Sequence, residues 1–88
     1  MEQAPSPLDL LLAAELDHAR DMLVMMGDEL AMSRELVAEH GMALQAVDIV
    51  GQMLGHIATV TRSSAPDRAV ERIGMCELKA RLTRKPSL

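Results

Sequence analysis

The segment from residue 42 to residue 62 carries most of its polar residues on one side of a predicted helix. They recur at steps of three or four residues and form a polar stripe, consisting of Gln45, Asp48, Gln52, His56, Thr59 and Arg62. Most other positions in the segment are apolar residues or glycine. Such a helix is expected to be buried over much of its circumference and to present the polar stripe outward.

An apolar seam with alternating spacings of four and three residues precedes this segment. It consists of Leu12, Leu16, Ala19, Leu23, Met26, Leu30, Ser33 and Val37, and Ser33 is its one polar member. Sustained spacing of this kind is typical of long helices that pack nearly parallel to a neighbour. The seam predicts one helix over residues 7–40, continuous through Gly27. Ser6, Pro7 and Asp9 form its start signal, after a flexible tail of residues 1–5.

Glycine, serine and proline set the other predicted boundaries. His40-Gly41 is expected to reverse the chain, with Gly41 in a left-handed conformation. Residues 42–62 then return antiparallel to the first helix. Ser64 is expected to cap a third helix over residues 65–83, with Pro66 in its first turn. Gly51 and Gly55, four residues apart, predict the close approach of another backbone.

These elements predict an all-α single domain, in which a long antiparallel helical hairpin is followed by a shorter third helix. The first helix is expected to be longer than the second, which would leave part of its apolar surface uncovered. The expected remedy is a homodimer whose paired hairpins form a helical bundle.

The composition limits what the core contains and where the protein works. Phe, Trp and Tyr are absent, while eight methionines are present, so the core is expected to be aliphatic. The lone Cys76 excludes an intrachain disulfide and fits a buried thiol in a reducing compartment. Neither a long apolar run nor a signal peptide is evident, so we expect a cytoplasmic protein without a membrane span.

The charges are distributed unevenly along the chain. Residues 1–61 contain ten acids and two bases, whereas residues 62–88 contain seven bases and three acids. An acidic body with a basic end argues against a protein that wraps nucleic acid. The pattern favours charge complementarity within the chain or between subunits.

The polar stripe also contains a recognisable motif, Asp48-Ile49-Val50-Gly51-Gln52, followed by Met53-Leu54. It resembles the Asp-x-x-Gly-Gln element of the CheZ-type chemotaxis phosphatases, although Ala46 and Val47 replace the aromatic residue and glutamine that commonly precede the aspartate. The resemblance implies that Gln52 would orient a water for attack on the phospho-aspartate of a response-regulator receiver domain. Asp48 would pair with a receiver lysine, and the receiver would supply the Mg²⁺, so no cofactor of the chain's own is expected.

The residue types suit that chemistry. An acyl phosphate is already reactive, so a water-positioning amide suffices without a new nucleophile or metal site. Gln45 and His56 flank the two motif residues on the same stripe and are expected to contribute to partner binding.

Other functions remain open. The polar stripe could be the solvated surface of a non-catalytic helical dimerisation or interaction protein. A histidine phosphotransfer protein would use one of His18, His40 and His56, but none has the Lys-Gly context of that family. A helix-turn-helix around Gly41 would read DNA with a helix that lacks basic residues, so we expect no nucleic-acid binding. The histidines and Cys76 lie too far apart in sequence to predict a metal site.

Overall fold

The computed structural model describes residues 4–84, which contain four helices in an all-α arrangement. These are α1 (Pro7–Ala31), α2 (Arg34–Arg62), α3 (Pro66–Glu71) and α4 (Cys76–Thr83). No strand occurs within this range. The predicted all-α class is confirmed. The predicted flexible tail falls largely on residues 1–3, which lie outside the described part.

Helix α1 begins as its sequence predicts. The Ser6 hydroxyl accepts a hydrogen bond from the Asp9 amide at 3.0 Å, and the Asp9 carboxylate accepts one from the Ser6 amide at 3.1 Å. This reciprocal pair satisfies two amides that the first turn would otherwise leave without partners. Gly27 lies within α1 and is buried.

The predicted end of the first helix at residue 40 is wrong. Helix α1 ends at Ala31, and Ser33 caps α2 by accepting a hydrogen bond from the Leu36 amide at 3.3 Å. The first helix therefore stops at Met32–Ser33, where the seam carries its one polar residue. A serine at this point can end one helix and start the next because its hydroxyl replaces the lost backbone acceptor.

His40-Gly41 nevertheless marks a second break in the chain. His40 has non-helical dihedral angles, with φ −129° and ψ 27°, and forms a kink inside α2. Within residues 4–84 no glycine has a positive φ, so Gly41 does not adopt the left-handed conformation that was expected. The predicted end of the second helix at Arg62 is confirmed. The part of α2 beyond the kink begins close to the predicted residue 42, but residues 34–39 form a further helical segment before it.

Helices α1 and α2 pack side by side in opposite directions. Gly27 lies beside Val47, Val24 beside Gly51, and Arg20 beside Gly55, so the paired positions run in opposite order along the two helices. Helix α1 has 25 residues, and α2 has 29 if the segments on both sides of the kink at His40 are counted together. The α2 residues that lie beside α1 here, from Val47 to Gly55, all follow the kink.

The predicted third helix over residues 65–83 is interrupted. It is two short helices, α3 and α4, separated by residues 72–75, which include Gly74. Ser64 does not cap α3: the N-cap is Ala65, and the Ala65 amide donates instead to the Ser63 hydroxyl at 3.0 Å. The interruption lets three side chains from both short helices and their connection, Val70, Ile73 and Leu78, form one buried cluster.

Little of the apolar surface is enclosed. The buried cluster packs against four partly buried side chains (Met53, Ile57, Val60 and Met75). Among the described residues no large side chain is fully buried, and Cys76, expected to be buried, is exposed. None of the helices in residues 4–84 combines the length and hydropathy that a bilayer span requires.

Candidate functional site

The two motif residues lie on α2, one helical turn apart, after the kink at His40. Asp48 and Gln52 are both exposed, as is Gln45, whereas His56 is half-buried. Residues at positions i and i+4 of a helix project side by side. The structure therefore keeps the carboxylate and the amide next to each other on the surface.

Asp48 lies at the edge of the contact between α1 and α2. Its Oδ1 atom is 3.8 Å from the point where a Cβ on Gly27 would lie, and Val47 Cγ1 is 3.5 Å from the same point. The missing side chain at Gly27 thus allows α2 to approach α1 closely at this position. The backbone that carries Asp48 is supported on its inner side.

Neither motif side chain is engaged elsewhere in the described part of the chain. Within residues 4–84 no hydrogen bond or ion pair involves the side chain of Gln45, Asp48 or Gln52. A carboxylate and an amide without intramolecular partners are available to bind an external group. This availability is what a docking or water-positioning role requires.

The other end of the polar stripe is occupied by ion pairs. Arg62 pairs with Asp17 on α1. The Arg20 guanidinium lies 3.2 Å from Asp17 and 3.1 Å from Asp21, and the Arg20 Nε atom also donates to Asp21. Four charged residues therefore form a continuous network between α1 and α2. This network lies toward the open end of the helix pair, which is the end away from the Met32–Ser33 connection.

The glycines of α2 make room for a side chain. A Cβ at Gly55 would lie 3.4 Å from both Cδ and Nη1 of Arg20, and one at Gly51 would lie 3.9 Å from Arg20 Cγ. The expected approach of another backbone is therefore not what these glycines serve, because the long aliphatic part of Arg20 lies across them. The four-residue spacing of Gly51 and Gly55 indicated a close contact, but it did not reveal that the Arg20 side chain makes this contact.

The remaining candidate residues do not converge with the motif. His40 lies at the kink, where its ring is 3.9 Å from the Glu39 carboxylate. Within residues 4–84 no group of three or more His, Cys, Asp and Glu side chains is arranged to hold a metal ion.

Comparison of the chain with protein-family models, curated proteins and solved structures found no match.

Proposed function

We propose that the protein binds a response-regulator receiver domain through Asp48 and Gln52 and promotes hydrolysis of its phospho-aspartate. In this proposal Gln52 orients the attacking water, Asp48 pairs with a receiver lysine, and Gln45 and His56 contribute to binding. The receiver contributes the Mg²⁺ ion and the phosphorylated carboxylate.

The observation that carries this proposal is the pair of exposed groups on α2, one turn apart, without partners among residues 4–84. The amide of Gln52 can donate to and accept from a water molecule at the same time. Because α2 is held against α1 on its inner side, the two groups would enter a partner's site on a supported helix, and such positioning lowers the entropic cost of the reaction.

We further propose that the protein works in the cytoplasm, where receiver domains signal, and that it acts as a homodimer. Self-association is supported by the small extent of buried apolar surface in one chain.

A dephosphorylation assay tests the catalytic role. Receiver domains are phosphorylated with a small acyl-phosphate donor in the presence of Mg²⁺, and loss of the phosphoryl group is followed with and without the protein. The wild type is expected to accelerate the loss, and Gln52→Ala to reduce that acceleration about a hundredfold, as removal of one positioned hydrogen-bonding group does in other active sites.

Two further variants separate binding from chemistry. Asp48→Asn is expected to weaken receiver binding. Glu35→Gln, an exposed change on α2 outside the polar stripe, serves as the control and should leave both binding and rate unaltered. An unchanged rate in Gln52→Ala would refute catalysis, and absence of binding to any phosphorylated receiver would refute the whole proposal.

A second function is favoured by a different observation. Many large apolar side chains are exposed on α1, among them Leu11 at 66% and Met25 at 71%. Such a surface fits a non-catalytic helical interaction protein that works by dimerisation alone. Receiver binding that depends on Asp48 would argue against this alternative.

A further inference from the structure

A small apolar groove lies at the end of the helix pair nearest the Met32–Ser33 connection, and we call it the connection groove. Its volume is about 250 Å³, and the residues that line it are Leu30, Leu36, His40, Ala43, Leu44 and Val47. Leu30 belongs to α1, Leu36 to the segment of α2 before the kink, and the last three to the part of α2 beyond the kink. Three helical segments therefore surround one concavity, and five of its six lining side chains are aliphatic.

No other described part of the chain fills this groove. Helices α3 and α4 pack at Met53, Ile57 and Val60, and Met53 already lies six residues beyond Val47 in the direction of the open end. None of the described residues that line the groove comes from α3 or α4. With about 250 Å³ the groove is smaller than the roughly 300–1,000 Å³ typical of small-molecule pockets. Its size suits one large apolar side chain, which is the usual anchor of a protein interface.

Acidic side chains border the groove. Glu29 directly precedes Leu30 on α1, and Glu39 directly precedes His40 on α2; both glutamates are exposed. Residues 21–61 contain six acids and a single base, Arg34. Arg34 lies five residues before Glu39, which places the two side chains about 140° apart around the helix. The surroundings of the groove are therefore negative, and a negative surface favours a positively charged partner.

These carboxylates are not neutralised within the described part of the chain. Among residues 4–84 the Glu29 side chain takes part in no hydrogen bond or ion pair. The ionic neighbour of Glu39 is the adjacent His40 ring at 3.9 Å. Both glutamates can therefore pair with the cations of a partner without breaking a strong internal contact.

We propose that the connection groove binds a basic peptide segment of another protein. One large apolar side chain of the segment is seated in the groove, and its lysine or arginine side chains pair with Glu29 and Glu39. The apolar anchor provides affinity, and the flanking cations provide specificity and speed of association. Gln52 lies five residues beyond Val47, about 140° around α2, so a bound segment leaves it uncovered. The proposal does not depend on receiver binding or on catalysis.

A peptide with a single tryptophan tests the proposal directly. The chain contains no Trp, Tyr or Phe, so tryptophan emission comes from the peptide alone. The probe is acetyl-Lys-Lys-Trp-Lys-Lys-amide, and the control is acetyl-Glu-Glu-Trp-Glu-Glu-amide. Addition of the protein should shift the emission of the lysine peptide to shorter wavelength until saturation, and it should not shift that of the glutamate peptide. A lysine peptide with alanine in place of tryptophan should compete at least about tenfold less well, because the anchor is missing.

A matched pair of alanine substitutions locates the apolar contact. Ala43→Gln places a longer side chain in the groove and should raise the dissociation constant of the lysine peptide several-fold. Ala38→Gln is the same change at an exposed position two residues after Leu36, on the far side of that segment, and should leave the constant unaltered. Far-ultraviolet circular dichroism establishes that each variant is folded.

A matched pair of double variants locates the ionic contact. Glu29→Gln with Glu39→Gln should weaken binding of the lysine peptide several-fold, and added salt should reduce the difference from the wild type. Glu15→Gln with Glu77→Gln makes the same change of net charge at exposed positions away from the groove, and it should have little effect.

The wild type alone provides a test that requires no variant to fold. On titration with the lysine peptide, the methyl signals of Leu36, Leu44 and Val47 should shift, whereas those of Ile73 and Leu78 in the buried cluster should stay in place. Shifts of the groove signals with protein concentration alone would show that a second copy of the chain covers the groove, and they would overturn the proposal. A lysine peptide whose emission does not shift, or equal effects within either matched pair of variants, would overturn it as well.

Discussion

The guanidinium of Arg62, in the last turn of α2, is ion-paired with the carboxylate of Asp17 on α1. The Asp17 side chain is 29% exposed, and it also lies 3.2 Å from Arg20. One carboxylate therefore connects two arginines at the open end of the helix pair. This contact joins residues that are far apart in sequence and constrains how α1 and α2 align.

Asp17→Asn should lower the free energy of unfolding by about 1 kcal/mol, because it weakens two partly exposed ion pairs. Asp21→Asn is the control, since Asp21 is 63% exposed and contacts Arg20 alone among these charges; its cost should be a few tenths of a kcal/mol. Urea unfolding followed by circular dichroism measures both, and added salt should narrow the difference. Equal losses of unfolding free energy in the two variants would show that the additional ion pair of Asp17 with Arg62 does not stabilise the protein.

Gly51→Ala is expected to stabilise the protein by up to about 1 kcal/mol, since alanine has the higher helix propensity. The new Cβ would lie 3.9 Å from Arg20 and Val24, which is ordinary contact. Gly55→Ala should gain less, because its Cβ would be 3.4 Å from two atoms of Arg20 and the arginine would have to shift. Thermal unfolding of both variants checks the order, and a larger gain at Gly55 would contradict the placement of Arg20.

Ser33→Ala should cost about 1 kcal/mol, because it removes the side-chain acceptor for the Leu36 amide at the start of α2. The matched change Ser64→Ala should fall within about 0.5 kcal/mol of the wild type, since Ser64 is exposed and caps no helix. Denaturant midpoints of the two variants measure the difference. A larger loss of stability in Ser64→Ala than in Ser33→Ala would contradict the cap at Ser33 and favour the helix boundaries predicted from the sequence.

Leu78→Ala should cost about 2–4 kcal/mol, because Leu78 is 3% exposed and belongs to the cluster that holds α3 and α4 against α2. Leu82→Ala, on the same helix but 44% exposed, should cost less than about 1 kcal/mol. Hydrogen exchange of the α4 amides would report the loss locally. Similar effects at both positions would mean that the cluster does not anchor α4.

Local signals predicted some helix boundaries and missed others. The start of α1 was predictable because Ser6 and Asp9 satisfy each other's backbone within one turn. The break at Ser33 was missed because serine fits both a helix interior and a cap, and the apolar seam continues in phase across it. The choice between these two roles of serine depends on tertiary packing that the local sequence does not contain.

The candidate site shows the same limit. The polar stripe was predictable from spacing, and Gln45, Asp48 and Gln52 are indeed exposed. Arg62 belongs to the same stripe by spacing, but its side chain pairs with Asp17 on α1. The spacing could not predict this pair, because the sequence of one helix does not distinguish the edge of a helix contact from open surface. The position of the Arg20 side chain over Gly51 and Gly55 could not be predicted, because it depends on which residues of α1 and α2 face each other.

The kink at His40 has a mechanical consequence for the exposed pair on α2. Residues 34–39 are joined to the remainder of α2 through a backbone position that is not helical. Strain introduced at the Met32–Ser33 connection can be absorbed at that joint instead of rotating the long segment beyond it. The orientation of Asp48 and Gln52 would thus be insulated from changes in the loop.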